Sequence, residues 1–263
     1  MIQKKELGQT GVKIAEIGLG TWQYRDGTEP LKLGVSLGAN FIDTAEIYGT
    51  EDIVGKAIEG IRDQVFLATK VSADHLHYDD VIRAAEASLR RLKAKTIDLY
   101  QIHWPNPSIP IEETMKAMEE LVKKGKIKYI GVSNFSAEET KEAQEALSSE
   151  RIASNQVQYN LDDREIESEL IPYCESERIT VIAYSPLSRG GVLSKRSKKG
   201  VLLDEIAKKY QKTRSQVVLN WVTHRDIVVT IPKAEKPDHV RDNCEASGWR
   251  LSDDDIRRID EET

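Results

Sequence analysis

An alternation constrains this chain more than any other feature. Short apolar runs rich in Ile and Val are each followed by a longer stretch with helical spacing. The runs are EIGLG (16–20), NFIDT (40–44), VFLATK (65–70), IDLYQIH (97–103), IKYIGVS (127–133), SNQVQY (154–159), ITVIAYS (179–185) and IVVTIP (227–232). Apolar runs this short, separated by helices, predict parallel strands buried on both faces and joined by βαβ crossovers. Eight of them in about 250 residues predict an α/β fold of the (β/α)8 TIM-barrel type over an open doubly wound sheet. A Rossmann sheet would carry Gly-x-Gly-x-x-Gly after its first strand. Here the first run leads instead into Gly18-Leu19-Gly20-Thr21-Trp22-Gln23.

The spacing predicts helices over 79–92, 112–124, 165–177, 202–210, 215–223 and 237–246. Val81, Ile82, Ala85, Leu89 and Leu92 share one face of the first, and Asp79 and Asp80 suit its N-terminus. Gly125 is placed to cap the second, and Ser136 with Glu139 forms a capping box for a further helix. KKELGQTGVKIAE (4–16) predicts a β-hairpin turning at Gln9-Thr10-Gly11 that plugs the barrel bottom. LSDDDIRRIDEE (251–262) predicts a short extra helix, and no linker or repeat divides residues 1–263, so one domain is expected.

Composition narrows the function classes. With 38 Lys and Arg against 44 Asp and Glu, the net charge of −6 speaks against nucleic acid as a partner. No run approaches the roughly 18 apolar residues of a membrane span, and the polar opening residues lack a signal-peptide core. Two distant cysteines, Cys174 and Cys244, make neither a disulfide framework nor a zinc box, and a reducing cytoplasm is the expected compartment. His75 and His77 lack a third ligand at suitable spacing, so no metal is expected.

Barrel enzymes place their chemistry at the C-terminal ends of the strands. Three consecutive predicted strands end in Asp43, Lys70 and His103, with Tyr48 in the loop after Asp43. Each alone has an ordinary explanation as a cap, a solvated charge, a structural imidazole or a turn. Together they bring a carboxylate, an ammonium, an imidazole and a phenol to one mouth. A phenol titrates near ~10 and becomes a useful acid only when a neighbour such as an ammonium lowers that value. Asp43 would pair the buried Lys70, and His103 would hydrogen-bond and polarise a carbonyl oxygen.

At these residues the chain resembles the aldo-keto reductase family. GANFIDTAEIYG (38–49) is similar to the family's G-x4-D-T-A-x2-Y-G segment, and SLRRLKAKTIDLYQIHWP (88–105) to its L-x-x-L-x4-I-D-L-Y-x-x-H-x-P segment. ATK (68–70), GVSNF (131–135), QVQYN (156–160), AYSPL (183–187) and IPKA (231–234) match in order, so the resemblance covers nearly the whole chain. It implies reduction of aldehydes and ketones with NADP(H), NAD(H) not being excluded, and a catalytic tetrad of Asp43, Tyr48, Lys70 and His103 with Tyr48 as the general acid. It further implies Ser133, Asn134 and Gln156 at the nicotinamide carboxamide, Tyr184 stacked on the ring, and Gly20, Thr21 and Trp22 at the cofactor–substrate junction. Ser185 and Leu187 would meet the pyrophosphate, and Lys233, His239, Arg241 and Asn243 the adenosine end. Trp22, Tyr48, His103 and Trp104 would line the substrate site.

The departures carry information. Ala234 and His239 stand where many members have Ser and Arg, and Asp242-Asn243 where many have Glu-Asn. The loop after His103 is short, which predicts an open site, weak substrate binding and broad carbonyl acceptance. In the basic stretch SKRSKKG (194–200), Lys195, Arg196 or Lys198 would touch the pyrophosphate if this loop closes over the cofactor. A monomer is expected. Two other functions fit parts of the pattern: a Schiff-base aldolase using Lys70, told apart by borohydride trapping, and a cofactor-binding sensor, told apart by slow turnover with tight NADPH.

Overall fold

The computed structural model describes residues 2–193 and 198–262. Strands β1 (Lys4–Glu6) and β2 (Lys13–Ala15) come first, as an antiparallel hairpin. Eight parallel strands follow: β3 (Leu19–Gly20), β4 (Phe41–Asp43), β5 (Phe66–Val71), β6 (Ile97–Ile102), β7 (Ile127–Ser133), β8 (Ile152–Gln158), β9 (Thr180–Tyr184) and β10 (Val228–Thr230). Each pairs with the next in sequence. The two edges meet at a parallel bridge between Ile17 and Thr230, where Gly18 N–H donates to Thr230 O at 2.7 Å and Thr230 N–H to Glu16 O at 2.9 Å. At this seam a Cβ on Gly20 would lie 2.4 Å from Ile231 O, so only glycine fits between the closing backbones. The predicted (β/α)8 barrel is the observed fold.

The helices are α1 (Glu29–Ser36), α2 (Glu51–Ala57), α3 (Tyr78–Arg91), α4 (Ile111–Lys123), α5 (Ala137–Glu145), α6 (Leu170–Glu177), α7 (Lys198–Tyr210), α8 (Arg214–Val222), α9 (Pro237–Cys244) and α10 (Asp253–Glu261). Ser136 and Glu139 form the expected capping box on α5, and Thr213 with Gln216 forms another on α8. The helix predicted over 165–177 is broken: a 3₁₀ turn at Glu165–Glu167 precedes α6. Pro172 explains the break, because proline is tolerated only in the first turn and so forces α6 to begin just before it.

The hairpin lies across the N-terminal ends of β8, β9 and β10. Leu7 and Ile14 are fully buried, each contributing about 1.5–3 kcal/mol by burial. Lys5 Nζ donates to the carbonyls of Thr223 (2.5 Å), Arg225 (2.7 Å) and Val228 (2.9 Å), and Gly8 N–H donates to Thr180 Oγ1 at 2.8 Å. Glu16 is buried and receives Arg250 at 2.6 Å and Ser247 Oγ at 2.5 Å. Helix α10 packs back through Asp260, which accepts from Trp221 Nε1 at 3.0 Å.

Candidate active site

Strands β4, β5 and β6 carry Asp43, Lys70 and His103 to the same end of the barrel. Lys70 is fully buried, and its Nζ donates to Asp43 Oδ2 at 2.6 Å and to Thr44 O at 2.8 Å. Asp43 Oδ1 accepts from Gln156 Nε2 at 2.8 Å and Gln101 Nε2 at 3.2 Å, so both carboxylate oxygens are engaged. Tyr48 stands on a 3₁₀ turn, Glu46–Tyr48. Lys70 Nζ lies 4.9 Å from the centroid of its ring, and its Oη lies 3.4 Å from His103 Nε2. The structure thus brings the four strand-end residues into one cluster.

Burial and charge shift Lys70, Tyr48 and His103. Burial opposes the charge on Lys70, but Asp43 beside it and Tyr48 together hold its pKa above the ordinary amine value, so it remains an ammonium. Tyr48 is shifted upward, because burial outweighs the attraction of Lys70. This reverses the expectation that Lys70 lowers the phenol: the neighbour is visible in the sequence, the depth of burial is not. His103 is pushed down to about 3, by burial first and by the Lys70 charge second, and is neutral at pH 7. Its Nδ1 is buried and has no partner among the described residues. Its Nε2 faces Tyr48 Oη.

The remaining predicted residues divide. Ser133, Asn134 and Tyr184 are joined: Tyr184 Oη donates to Asn134 Oδ1 at 2.9 Å, and Asn134 Nδ2 to Ser133 Oγ at 3.1 Å and His103 O at 2.9 Å. Asn134 and Ser185 have φ of 63° and 51°, an uncommon backbone at strand ends that clusters at functional sites. Leu187 is half-buried against the core. Thr21 is fully buried, and its Oγ1 bonds Asp43 O at 3.0 Å and Thr50 Oγ1 at 3.1 Å, so it braces the end of β4 instead of lining a surface. Gly20 is required by the barrel seam. Lys233 is exposed, with Nζ 3.6 Å from Glu235 Oε2, and His239 is exposed nearby in sequence on α9. Asn243 is buried. Arg241 does not join Lys233: it lines a cavity of about 330 Å3 with Ile2, Leu37 and Lys212, because two helical residues put it on the far side of α9 from His239. Lys198 is exposed, while Lys195 and Arg196 lie outside the described residues. His75 and His77 each face a carboxylate, Glu46 at 3.0 Å and Glu113 at 3.2 Å.

Two residues of the cluster escaped the sequence reading. Gln101 stands two residues before His103 on the same strand, and that two-residue period is the signal that it points into the barrel with it. Gly131 makes room for it, since a Cβ there would lie 2.9 Å from Gln101 Cγ. Ile47, 60% exposed, joins Trp22 (40%) and Trp104 (50%) as large apolar side chains open to solvent, each one to three residues from a member of the cluster or strand end.

Comparison with known proteins gives the family. The family model described as "Aldo/keto reductase family" matches residues 16–262. The chain is 37% identical to methylglyoxal reductase YeaE of Escherichia coli (strain K12), over 98% of this chain and 95% of that protein. It is 36% identical to glyoxal reductase of Bacillus subtilis (strain 168), over 95% and 89%. Among solved structures, the thermostable aldo-keto reductase Tm1743 bound to epalrestat superposes with a TM-score of 0.93 at 41% identity, covering 100% of both chains. An aldo/keto reductase from Klebsiella pneumoniae in complex with NADP and acetate gives 0.91 at 36% identity, covering 99% and 95%. On the matched length and on these identities, the chain belongs to the aldo-keto reductase family.

Proposed function

We propose that the protein reduces small aldehydes and ketones to alcohols with NADPH, by proton delivery from Tyr48. The observation that carries this reading is the Tyr48–Lys70–Asp43 arrangement, a phenol held protonated beside a buried ammonium. The donor set suits a nicotinamide. Gln156 commits its amide nitrogen to Asp43 (2.8 Å) and Gln101 (3.4 Å), which leaves its Oε1 to accept from a carboxamide. Ser133 and Asn134 would complete that contact, Tyr184 would stack on the ring, and Ser185 and Leu187 would meet the pyrophosphate. Lys233 and His239 would meet the 2′-phosphate with Asn243 behind them, and Trp22 would line the junction of cofactor and substrate, braced from within the barrel by Gly20 and Thr21. The cofactor supplies hydride to the carbonyl carbon.

This chain's residues do the rest. His103 Nε2–H hydrogen-bonds the carbonyl oxygen and orients it. Tyr48 Oη–H gives that oxygen its proton as negative charge develops. Lys70, kept charged by Asp43, stabilises the phenolate left behind. Trp22, Ile47 and Trp104 exclude water from one side of the substrate. The same pairing opposes the aldolase alternative, since an ammonium held charged is a poor nucleophile. The names of the two relatives make methylglyoxal and glyoxal the first substrates to try. Loss of NADPH absorbance with either tests the proposal, and binding of NADPH without turnover of any carbonyl would sink it.

The pH dependence follows from the shifts. The acid form of Tyr48 is the active one in reduction, and its pKa lies above the ordinary phenol value. His103 stays neutral down to about 3. Reduction is therefore expected to run flat from about pH 5 to 8 and fall only in the alkaline range, with no inflection near an ordinary histidine value. Alcohol oxidation should rise over the same alkaline range. A kcat–pH profile with an acidic limb near 6.5 would place charge on His103 and contradict the structure.

At the adenosine end, a 2′-phosphate must displace Glu235 from Lys233. Glu235→Gln is expected to lower the KM for NADPH about 3- to 5-fold, the scale of an exposed ion pair, while the KM for NADH stays constant. Equal changes for both cofactors would show that Lys233 does not meet the phosphate.

A further inference from the structure

Ile47, the middle residue of the Glu46–Tyr48 turn, points to solvent and gives the turn no apolar anchor. Anchors lie on either side of it. Thr44 precedes it, with its N–H on Ala68 O and its carbonyl under Lys70. Thr50 and Glu51 follow, bonded to Thr44 and Thr21 and to Thr69 and Arg91. Between these anchors Glu46 turns its carboxylate inward, and the side chain is 9% exposed. Its Oε1 accepts the backbone N–H of Ser72 and faces His75 Nδ1 at 3.0 Å. Ser72 stands two residues beyond Lys70. One carboxylate thus joins the turn that carries the phenol to the segment that carries the ammonium, across 26 residues of chain. His75 is half exposed, and its share of the link is correspondingly weak.

We infer that Glu46 is a positioning residue: through the Ser72 N–H it sets the Tyr48 phenol against Lys70 and His103, and it touches neither substrate nor cofactor itself. The inference rests on the reading of Tyr48 as the general acid. A three-residue turn on a loop is soft, and proton transfer demands placement to within about 0.5 Å. A misplacement near 1 Å costs about 100-fold in rate. What Glu46 supplies is an acceptor in the right place, a task a glutamine carbonyl can also perform.

The test is a paired substitution. Glu46→Ala removes the acceptor. Ser72→Pro removes the donor and fits the backbone, since Ser72 has φ −64° and ψ 148°; it also removes the Ser72 Oγ that accepts from Asp74 N–H, so Ser72→Ala is run beside it as the control for that contact and should keep kcat near wild type. Glu46→Ala and Ser72→Pro are each expected to lower kcat for methylglyoxal about 10- to 100-fold, with NADPH affinity, read by fluorescence titration, within about 2-fold of wild type. Glu46→Gln should keep kcat within about 3-fold. The double variant Glu46→Ala/Ser72→Pro should lose no more than the worse single, since both cut the same bond. Wild-type kcat in Glu46→Ala overturns the inference. So do additive losses, and so does a parallel loss of NADPH affinity, which marks a general loosening of the mouth. Tyr48→Phe run alongside separates the two levels: retained activity there removes the general-acid reading, and this inference with it.

Discussion

Tyr48→Phe is expected to lower kcat for carbonyl reduction about 1000-fold, within the usual contribution of a positioned general acid. The substitution removes one oxygen and keeps the ring. The face-on contact with Lys70 at 4.9 Å and the edge-on contact with His103 at 5.4 Å both survive. Lys70 keeps Asp43 Oδ2 and Thr44 O, so no buried charge is stranded. NADPH affinity and thermal stability should therefore stay near wild type, and the loss should fall on kcat. His103 cannot replace the missing acid, since burial and Lys70 hold it neutral and a neutral imidazole is a weak proton donor. Steady-state kinetics with methylglyoxal, together with a fluorescence titration of NADPH, check both halves. More than about a tenth of the wild-type rate would mean that the proton comes from elsewhere.

Asp43→Ala should have the largest effect on stability. Lys70 is fully buried, and among the described residues its one paired anion is Asp43, with Oδ2 at 2.6 Å. Removing one partner of a buried pair costs about 3–5 kcal/mol, because the other charge is left without compensation. For a chain of this size that corresponds to a fall in Tm of roughly 10 °C. Gln101 and Gln156 lose their acceptor at the same time. Without Asp43, burial lowers the Lys70 pKa and drives the amine towards its neutral form. Activity should fall with stability, since the phenolate then lacks its counter-charge. The double variant Asp43→Ala/Lys70→Met should regain much of the lost stability but none of the activity. Calorimetry at neutral pH decides: a loss below about 1 kcal/mol would mean that water reaches Lys70.

The barrel was legible because parallel strands covered on both faces are short, apolar and regularly spaced. Their ends then name Asp43, Lys70 and His103 without reference to any contact. Helices α1 and α2 were not legible. Each carries a mid-helix glycine, Gly34 and Gly55, which helix propensity disfavours but close packing on Leu19 and on the backbone of Arg91 and Leu92 requires. The anchoring of Glu46 on Ser72 and the pairing of Gln101 with Asp43 span 26 and 58 residues. Nothing in local spacing reports such links until the fold closes. The sign of the Tyr48 shift failed for a related reason, since composition identifies a neighbour but not how much water is left around it. Arg241 is different: its position two residues from His239 already implied the opposite helix face.

The seam between Ile17 and Thr230 bears on how the chain is made as well as on how it is held. The two residues are more than two hundred positions apart, so the bond that closes the barrel has the longest reach in the sheet and forms late. At ordinary synthesis rates of about 5–20 residues per second, the nascent sheet waits on the order of tens of seconds for its last strand. During that interval β3 is an open edge. It is only two residues long, Leu19 and Gly20, and offers a stray chain almost no ladder on which to add. The shortness of the first barrel strand thus leaves that edge little to offer a stray chain, until Lys5 reaches the carbonyls of Thr223, Arg225 and Val228 and the hairpin seals the base.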